Sequence, residues 1–199
     1  MRVVHVREPG LSDRLFRFRY EMYVSNLKWF RHDDYPDGLV RDSFDDFSHN
    51  YVAINDQGTI IGSTRITVDG PNGLPLEICN SLDGFRKGRI LAELGRLVVA
   101  PGHNGNLLGS LLMKAGYQCA TKQGANYIVI DICQKDHDLY LKTGFVQIGD
   151  KYQDPNYNFD DMSVTMGLDC MTAQKEWPYT RPRLYRFFTS PDHRIEHPE

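Results

Sequence analysis

Residues 92–133 constrain this chain more than any other part of it. AELGRLVVA (residues 92–100) reads as a strand, Pro101-Gly102 ends it, and a glycine-rich turn leads into residues 106–123. There Leu107, Leu108, Leu111, Leu112, Ala115 and Cys119 form a helical stripe. NYIVIDIC (residues 126–133) follows as a continuous apolar strand of the kind covered on both faces. Strands alternating with helices in this way imply a mixed sheet covered by helices.

The remaining segments extend that order. Residues 2–6 (RVVHV) alternate as a short strand does. Residues 11–27 place Leu11, Leu15, Phe18 and Met22 on one helical face, extended by Tyr23 and Leu27, with Ser12 or Asp13 as cap. Residues 32–48 carry six aspartates together with proline and glycine, the composition of an ordered loop. Residues 50–55 and 60–68 alternate around Asp56-Gln57-Gly58, a hairpin signal, and residues 70–90 are turn-rich. A short helix over residues 138–143 stops at Gly144, where a left-handed cap fits, and residues 145–149 and 162–168 are two more strands. The order is β-α-loop-β-β-loop-β-α-β-α-β-β. Residues 1–169 form the domain, and residues 170–199 an aromatic and basic extension packed on it or trailing from it.

A chain of 199 residues with 41% hydrophobic and 25% charged residues can bury a core without staples and is not a disordered polymer. Its net charge of -3 argues against a broad nucleic-acid-binding face. No stretch approaches the roughly 18 uncharged apolar residues of a membrane helix. The opening MRVVHVREPG lacks the apolar core of a signal peptide. The four cysteines form no CxxC pair, so reduced thiols and a cytoplasmic location are expected. No metal is expected from the seven histidines.

The turn within LVVAPGHNGNLLGSLLM (residues 97–113) brings backbone N–H groups at a helix start toward an anion. Such a turn can hold the pyrophosphate of coenzyme A or the phosphate of phosphopantetheine. Tyr140-Leu141-Lys142-Thr143-Gly144-Phe145 comes after the next strand. This succession, ending in Y-x-K-x-G-F, resembles the GNAT acyltransferase superfamily over about residues 92–150. The resemblance implies an α/β (α+β) fold whose central mixed sheet splays open between its fourth and fifth strands, with an acyl thioester in the gap. It implies a donor cradle of Val99, Asn104, Gly105, Asn106, Leu107, Gly109 and Ser110. The common loop of that superfamily is R/Q-x-x-G-x-G/A. Here Asn104 and Leu107 replace two of its positions and Gly109 is kept. Leu107 crowds close backbone approach, which favours acyl-phosphopantetheine on a carrier protein over acyl-CoA.

The N-terminal half narrows the resemblance. Arg19-Tyr20-Glu21-Met22-Tyr23-Val24, Trp29, Asp42-Ser43-Phe44-Asp45, Ile61-Gly62-Ser63-Thr64-Arg65 and Glu93-Leu94-Gly95-Arg96-Leu97 are similar to the acyl-homoserine-lactone (autoinducer) synthases. That family builds its acceptor pocket from such aspartates, arginines and glutamate. Its acceptor is S-adenosylmethionine, and its donor is usually acyl-carrier protein. It usually carries a glutamate two residues before the first aspartate, where this chain has Val40. The long-chain N-acyl amino acid synthases are a related offshoot that takes amino acids instead, and both readings stay open.

On this resemblance the protein is an N-acyltransferase, and its residues divide into roles, each with a structural alternative. Glu93 is the base, directly or through water, or else an ion-pair partner of Arg96. On an ideal strand those two would face opposite ways unless a bulge intervened. Backbone N–H groups at Leu97 and Val98 are the oxyanion donors. Tyr140 protonates the departing thiolate or is a half-buried helix tyrosine. Asp42 and Asp45 bind the acceptor's ammonium or belong to a solvated loop. Arg65 and Arg96 hold the acceptor's carboxylate or make salt bridges on the sheet. Trp29 closes over the acceptor or caps the core. Arg19 flanks the pocket or snorkels. Residues 177–188 (WPYTRPRLYRFF) hold three arginines and no acid, and either dock an acidic acyl-carrier protein or pack back on the domain. Two further readings are an acetyl-CoA-dependent N-acetyltransferase of a small amine and a catalytically silent thioester-binding module.

Overall fold

The apolar run at residues 126–133 becomes β5 (Tyr127–Cys133), buried along nearly its whole length, and the sheet extends outward from it. The computed structural model describes residues 1–103, 106–158 and 161–198. Its other strands are β1 (Arg2–His5), β2 (His49–Ile54), β3 (Ile60–Val68), β4 (Leu91–Val99), β6 (Val146–Tyr152), β7 (Ser163–Asp169) and β8 (Ile195–Glu196). They form one eight-stranded sheet in the order β6-β7-β5-β4-β3-β2-β1-β8. The β4–β5 and β1–β8 pairs are parallel and the rest antiparallel, so the sheet is mixed, as expected.

The helices are α1 (Pro9–Tyr20), α2 (Asp83–Arg86), α3 (Asn106–Lys122), α4 (His137–Lys142), α5 (Cys170–Thr180) and α6 (Pro182–Thr189). Alternate residues of a strand face opposite sides, and β2 shows the division. Tyr51 and Ala53 join the core under α3, whereas Val52 and Ile54 join the cluster around Leu15, Phe18 and Met22 of α1. A third cluster sits on the α1 side of the sheet, where Leu74, Leu76 and Leu82 pack on Leu91 and Val129. Arg86 fastens that segment by pairing with Asp69 and Glu77. The α1 cluster and the 74–91 cluster cover different parts of one face, and the space between them becomes the cavity described below.

Several boundaries differ from the sequence reading. The first helix begins earlier, with Glu8 as N-cap and Pro9 in its first turn, rather than at Ser12 or Asp13. Proline at that position already has helical φ and no N–H to satisfy, and the Ser12 hydroxyl instead donates to the Glu8 carbonyl at 3.3 Å. The helix continues as a π-helical stretch over Glu21–Asn26, which carries Met22 and Tyr23 into the core. The aspartate-rich segment is irregular but contains 3-10 turns at His32–Asp34 and Ser43–Phe47.

The C-terminal extension packs back on the domain. Trp177, Phe188 and Ile195 enter the same core as α3, and β8 pairs with β1 through Val3 and Ile195. Gln118 of α3 donates to the Phe188 carbonyl at 2.9 Å and the Ser190 carbonyl at 3.0 Å. Arg181, Arg183 and Arg186 remain exposed. Gly144 adopts φ +94°, the left-handed cap expected there, and the Trp177 ring lies where a Cβ would be. The end of α4 and the extension are therefore locked together at that glycine.

Candidate active site

β4 and β5 pair only at Leu91↔Tyr127, Ala92↔Ile128 and Glu93↔Val129. Beyond that point each keeps its other neighbour: β4 stays with β3 as far as Val99↔Gly62, and β5 stays with β7 as far as Cys133↔Ser163. The two strands thus part while both remain in the sheet, and the expected splay is present. The resulting slot encloses about 100 Å³ and is lined by Leu97, Ile130, Ile132 and Cys133, with Tyr140 and Trp29 at its sides.

A bulge accompanies the splay. Arg65 pairs with Gly95 but Ser63 pairs with Val98, so β4 carries an extra residue opposite Thr64. Arg96 adopts φ +52°, an uncommon conformation for a residue with a Cβ. Because of that bulge Glu93, Gly95 and Arg96 all line one cavity, although regular alternation would turn Arg96 to the other face. Leu97 borders the slot, whereas Val98 returns to register with Ser63 and is buried in the α1 cluster.

The cavity encloses about 600 Å³ between the α1 cluster and the 74–91 segment. One wall is basic. Arg96 Nη2 lies 2.9 Å from Asp42 Oδ2, Arg65 Nη1 lies 2.6 Å from Asp42 Oδ1, and Arg65 reaches Asp45 Oδ2 at 3.3 Å. Behind them Arg19 Nη1 is 2.8 Å from Asp45 Oδ1, and its other arm donates to Asn50 Oδ1 at 2.5 Å. Arginines and carboxylates therefore alternate from Arg19 through Asp45, Arg65 and Asp42 to Arg96. Asp42 also caps the Ser43–Phe47 turn by accepting from Phe44 N, and the Asp45 carboxylate accepts from Asp42 N. Burial raises the Asp42 carboxyl, but Arg65 and Arg96 outweigh it and hold the group at about 2. The Arg96 guanidinium also stacks 5.0 Å from the centre of the Phe30 ring.

This geometry corrects three sequence expectations. Asp42 and Asp45 do not offer free carboxylates to an ammonium, because their oxygens are engaged by arginines and backbone N–H groups. Arg19 neither snorkels nor borders the cavity: its side chain is 0% exposed and lies behind Asp45. Glu93 and Arg96 line the same cavity without pairing; Glu93 Oε2 instead accepts from Leu76 N at 2.6 Å.

The opposite wall is acidic. Burial pushes the Glu93 carboxyl up to about 7, against the opposing pull of Arg65 and of the Leu76 hydrogen bond. Its other oxygen points toward Gly95, where a Cβ would stand 3.0 Å from it. Asp131 and Asp154 complete that wall, and Asp131 borders the slot as well. The sequence reading passed over Asp131 within an apolar run. A single carboxylate in a strand buried on both faces was the available signal, since such a group is costly to bury without a purpose.

Trp29 and Tyr140 flank the slot. Lys135 Nζ sits 5.7 Å from the centre of the Trp29 ring, and burial raises the Tyr140 hydroxyl above its ordinary range. The expected donor cradle is described only in part. Asn104 and Gly105 lie outside the described residues, as does the side chain of Asn106. Val99 ends β4, Leu107 is exposed at the start of α3, and the position a Cβ would take at Gly109 is open space, with Ser110 next to it. Among the described residues no group of His, Cys, Asp and Glu is placed to hold a metal ion, and no helix is long and apolar enough to cross a membrane.

Comparison with known proteins places this architecture. The family model of the N-acyl amino acid synthase FeeM matches residues 14–169. No match was found among curated proteins. The solved structure of FeeM, an N-acyl amino acid synthase from uncultured soil microbes, superposes with a TM-score of 0.71 at 19% identity, covering 88% of this chain and 91% of that one. A CoA-dependent acyl-homoserine lactone synthase, BjaI, solved with SAM and isopentyl-CoA, gives a TM-score of 0.71 at 18% identity over 100% of this chain and 94% of that one. A putative N-acetyltransferase from Lactobacillus plantarum gives 0.62 at 15% identity, covering 84% of this chain and 97% of that one. At these identities the structural likeness establishes the GNAT-like fold, while the family model covers most of the chain. The chain belongs to the FeeM N-acyl amino acid synthase family and is an acyltransferase.

Proposed function

We propose that the protein transfers an acyl chain from a pantetheine thioester to the amine of an amino acid. The observation that carries this reading is the meeting of slot and cavity, which share Gly95, Arg96, Asp131 and Tyr157 as lining. A thioester arm in the slot brings its carbonyl to an acceptor in the cavity. The acceptor's ammonium gives a proton to Glu93, whose elevated pKa suits a base near neutrality. The amine nitrogen attacks the carbonyl carbon, and the Leu97 N–H, in the bulge formed by Arg96 and Leu97, stabilises the oxyanion. The C–S bond then breaks, the thiolate takes a proton from Tyr140, and the extra proton left on the new amide nitrogen passes through water to restore Tyr140, while Glu93 gives its proton to solvent. The products are an N-acyl amino acid and free thiol. Arg96, the basic side chain at the slot, and Arg65 behind it hold the acceptor's carboxylate, with Trp29 closing the side.

An amino acid is favoured over S-adenosylmethionine because Val40, where the lactone synthases usually carry a glutamate, is fully buried against α1 and brings no charge to the cavity. The donor is carried on an acyl-carrier protein or on coenzyme A. The exposed Arg181, Arg183 and Arg186 favour an acidic carrier, and a supply of such thioesters is in keeping with a cytoplasmic enzyme.

The test is product analysis by mass spectrometry. Octanoyl-carrier protein, octanoyl-CoA or acetyl-CoA is combined with an equimolar mixture of twenty L-amino acids or with S-adenosylmethionine. An N-octanoyl amino acid is expected. An acyl lactone would reassign the acceptor, an acetylated amine alone would reassign the donor, and thioester binding without product would make the protein a silent module.

A further inference from the structure

With Asp42 and Asp45 committed to arginines, the cationic end of an amino acid needs another partner. Asp131 stands where one is wanted. β4 and β5 separate just past Glu93↔Val129, and Asp131 is on β5 beyond that separation, held in place by its backbone pairing with Thr165 of β7. Of the described residues common to slot and cavity it is the only acid. Its Oδ1 is buried, and the neighbours that ease its negative charge are neutral: the hydroxyls of Tyr152 and Ser163 and the backbone at Ile132. No lysine or arginine among the described residues forms an ion pair with it, whereas Arg65 and Arg96 of the same cavity are paired with Asp42. Burial and the nearby Asp154 raise the Asp131 carboxyl to about 6, so it still ionises at neutral pH and gains most from a cation.

We propose that Asp131 holds the ammonium of the acceptor at the opening of the slot, with the acceptor's carboxylate turned toward Arg96. This rests on the functional reading above and adds to it the residue that selects a zwitterionic α-amino acid over a simple carboxylate. Asp131 binds and orients the amine, and Glu93, within its electrostatic reach, takes the proton. A buried acid with only neutral partners is costly in isolation; a bound ammonium supplies the opposite charge.

Steady-state kinetics on Asp131→Asn test this, with the twenty-amino-acid mixture used first to choose the acceptor that the wild type acylates fastest. The acceptor's KM should rise at least tenfold, with kcat within about threefold and the KM of octanoyl-CoA unchanged. Asp131→Glu, which keeps the charge, should recover most of the affinity and serves also if the asparagine variant folds poorly. An unchanged acceptor KM in Asp131→Asn overturns this role while leaving the acyltransferase reading intact. If the wild type acylates no amino acid, thermal-shift titration of each of the twenty into both proteins decides. A shift in the wild type that is lost in Asp131→Asn supports the ammonium site alone. Equal shifts, or none, overturn it together with the functional reading.

Discussion

Replacing Glu93 by glutamine removes a titrating group from the cavity wall and keeps its shape. The carboxyl rises from 4.5 to about 7 because burial penalises the anion. That difference corresponds to about 3 kcal/mol favouring the neutral acid. If Glu93 is the base, turnover at saturating acceptor follows the fraction ionised. It should rise about fiftyfold from pH 5 to pH 7 and level off above pH 8. The glutamine variant should lose at least tenfold in turnover at pH 8 and lose this acid limb as well. Stability should move the other way. A group whose folded pKa is raised contributes stability below its unfolded value, which is then lost as pH climbs through the folded value. The wild type therefore gives up as much as about 3 kcal/mol between pH 4.5 and pH 8, and the variant does not. Glutamine can still accept the Leu76 N–H. Calorimetric melting should then place the variant's Tm above that of the wild type at pH 8, by up to roughly 5–10 °C, with the gap closing near pH 4. Turnover that survives the substitution, or a gap in Tm that does not change with pH, would refute the assignment of Glu93 as a buried, poised base.

Asp42→Asn should cost about 3 kcal/mol at pH 7, read by denaturant unfolding, because Arg96 loses its partner inside the cavity wall. The wild-type pair should itself weaken only as pH falls below 4 toward 2, since the Asp42 pKa is depressed to about 2 and its contribution is present above the unfolded value. Gly144→Ala should destabilise by at least 2 kcal/mol in the same assay, as φ +94° and the Trp177 ring both oppose a Cβ. Tyr140→Phe should lower kcat several-fold with little change in either KM and no loss of Tm; an unaltered kcat would leave the tyrosine a packing residue.

Much of the architecture was legible because it follows from local rules. The apolar run of β5, the stripe of α3 and the glycine at the end of α4 each carry their own periodicity or backbone requirement, and each appears where expected. The start of α1 was misjudged because a serine and an aspartate outweighed Pro9 as a start signal, although proline's fixed φ needs no side-chain cap. Roles of charged residues were read less well. An aspartate in a polar loop looks the same in sequence whether it awaits a ligand or is neutralised by Arg65 and Arg96 from distant strands.

The amino-acid order by itself determined the succession of strands and helices, the family resemblance and the presence of acids and arginines near one site, since these depend on spacing along the chain. Tertiary structure alone decided their pairing. Where β4 leaves β5, how the bulge turns Arg96 beside Glu93, and which carboxylate is left at the junction all depend on contacts between residues far apart in sequence. A charge is quenched or poised by whatever neighbour the fold brings within a few ångströms, and no local pattern encodes that distance.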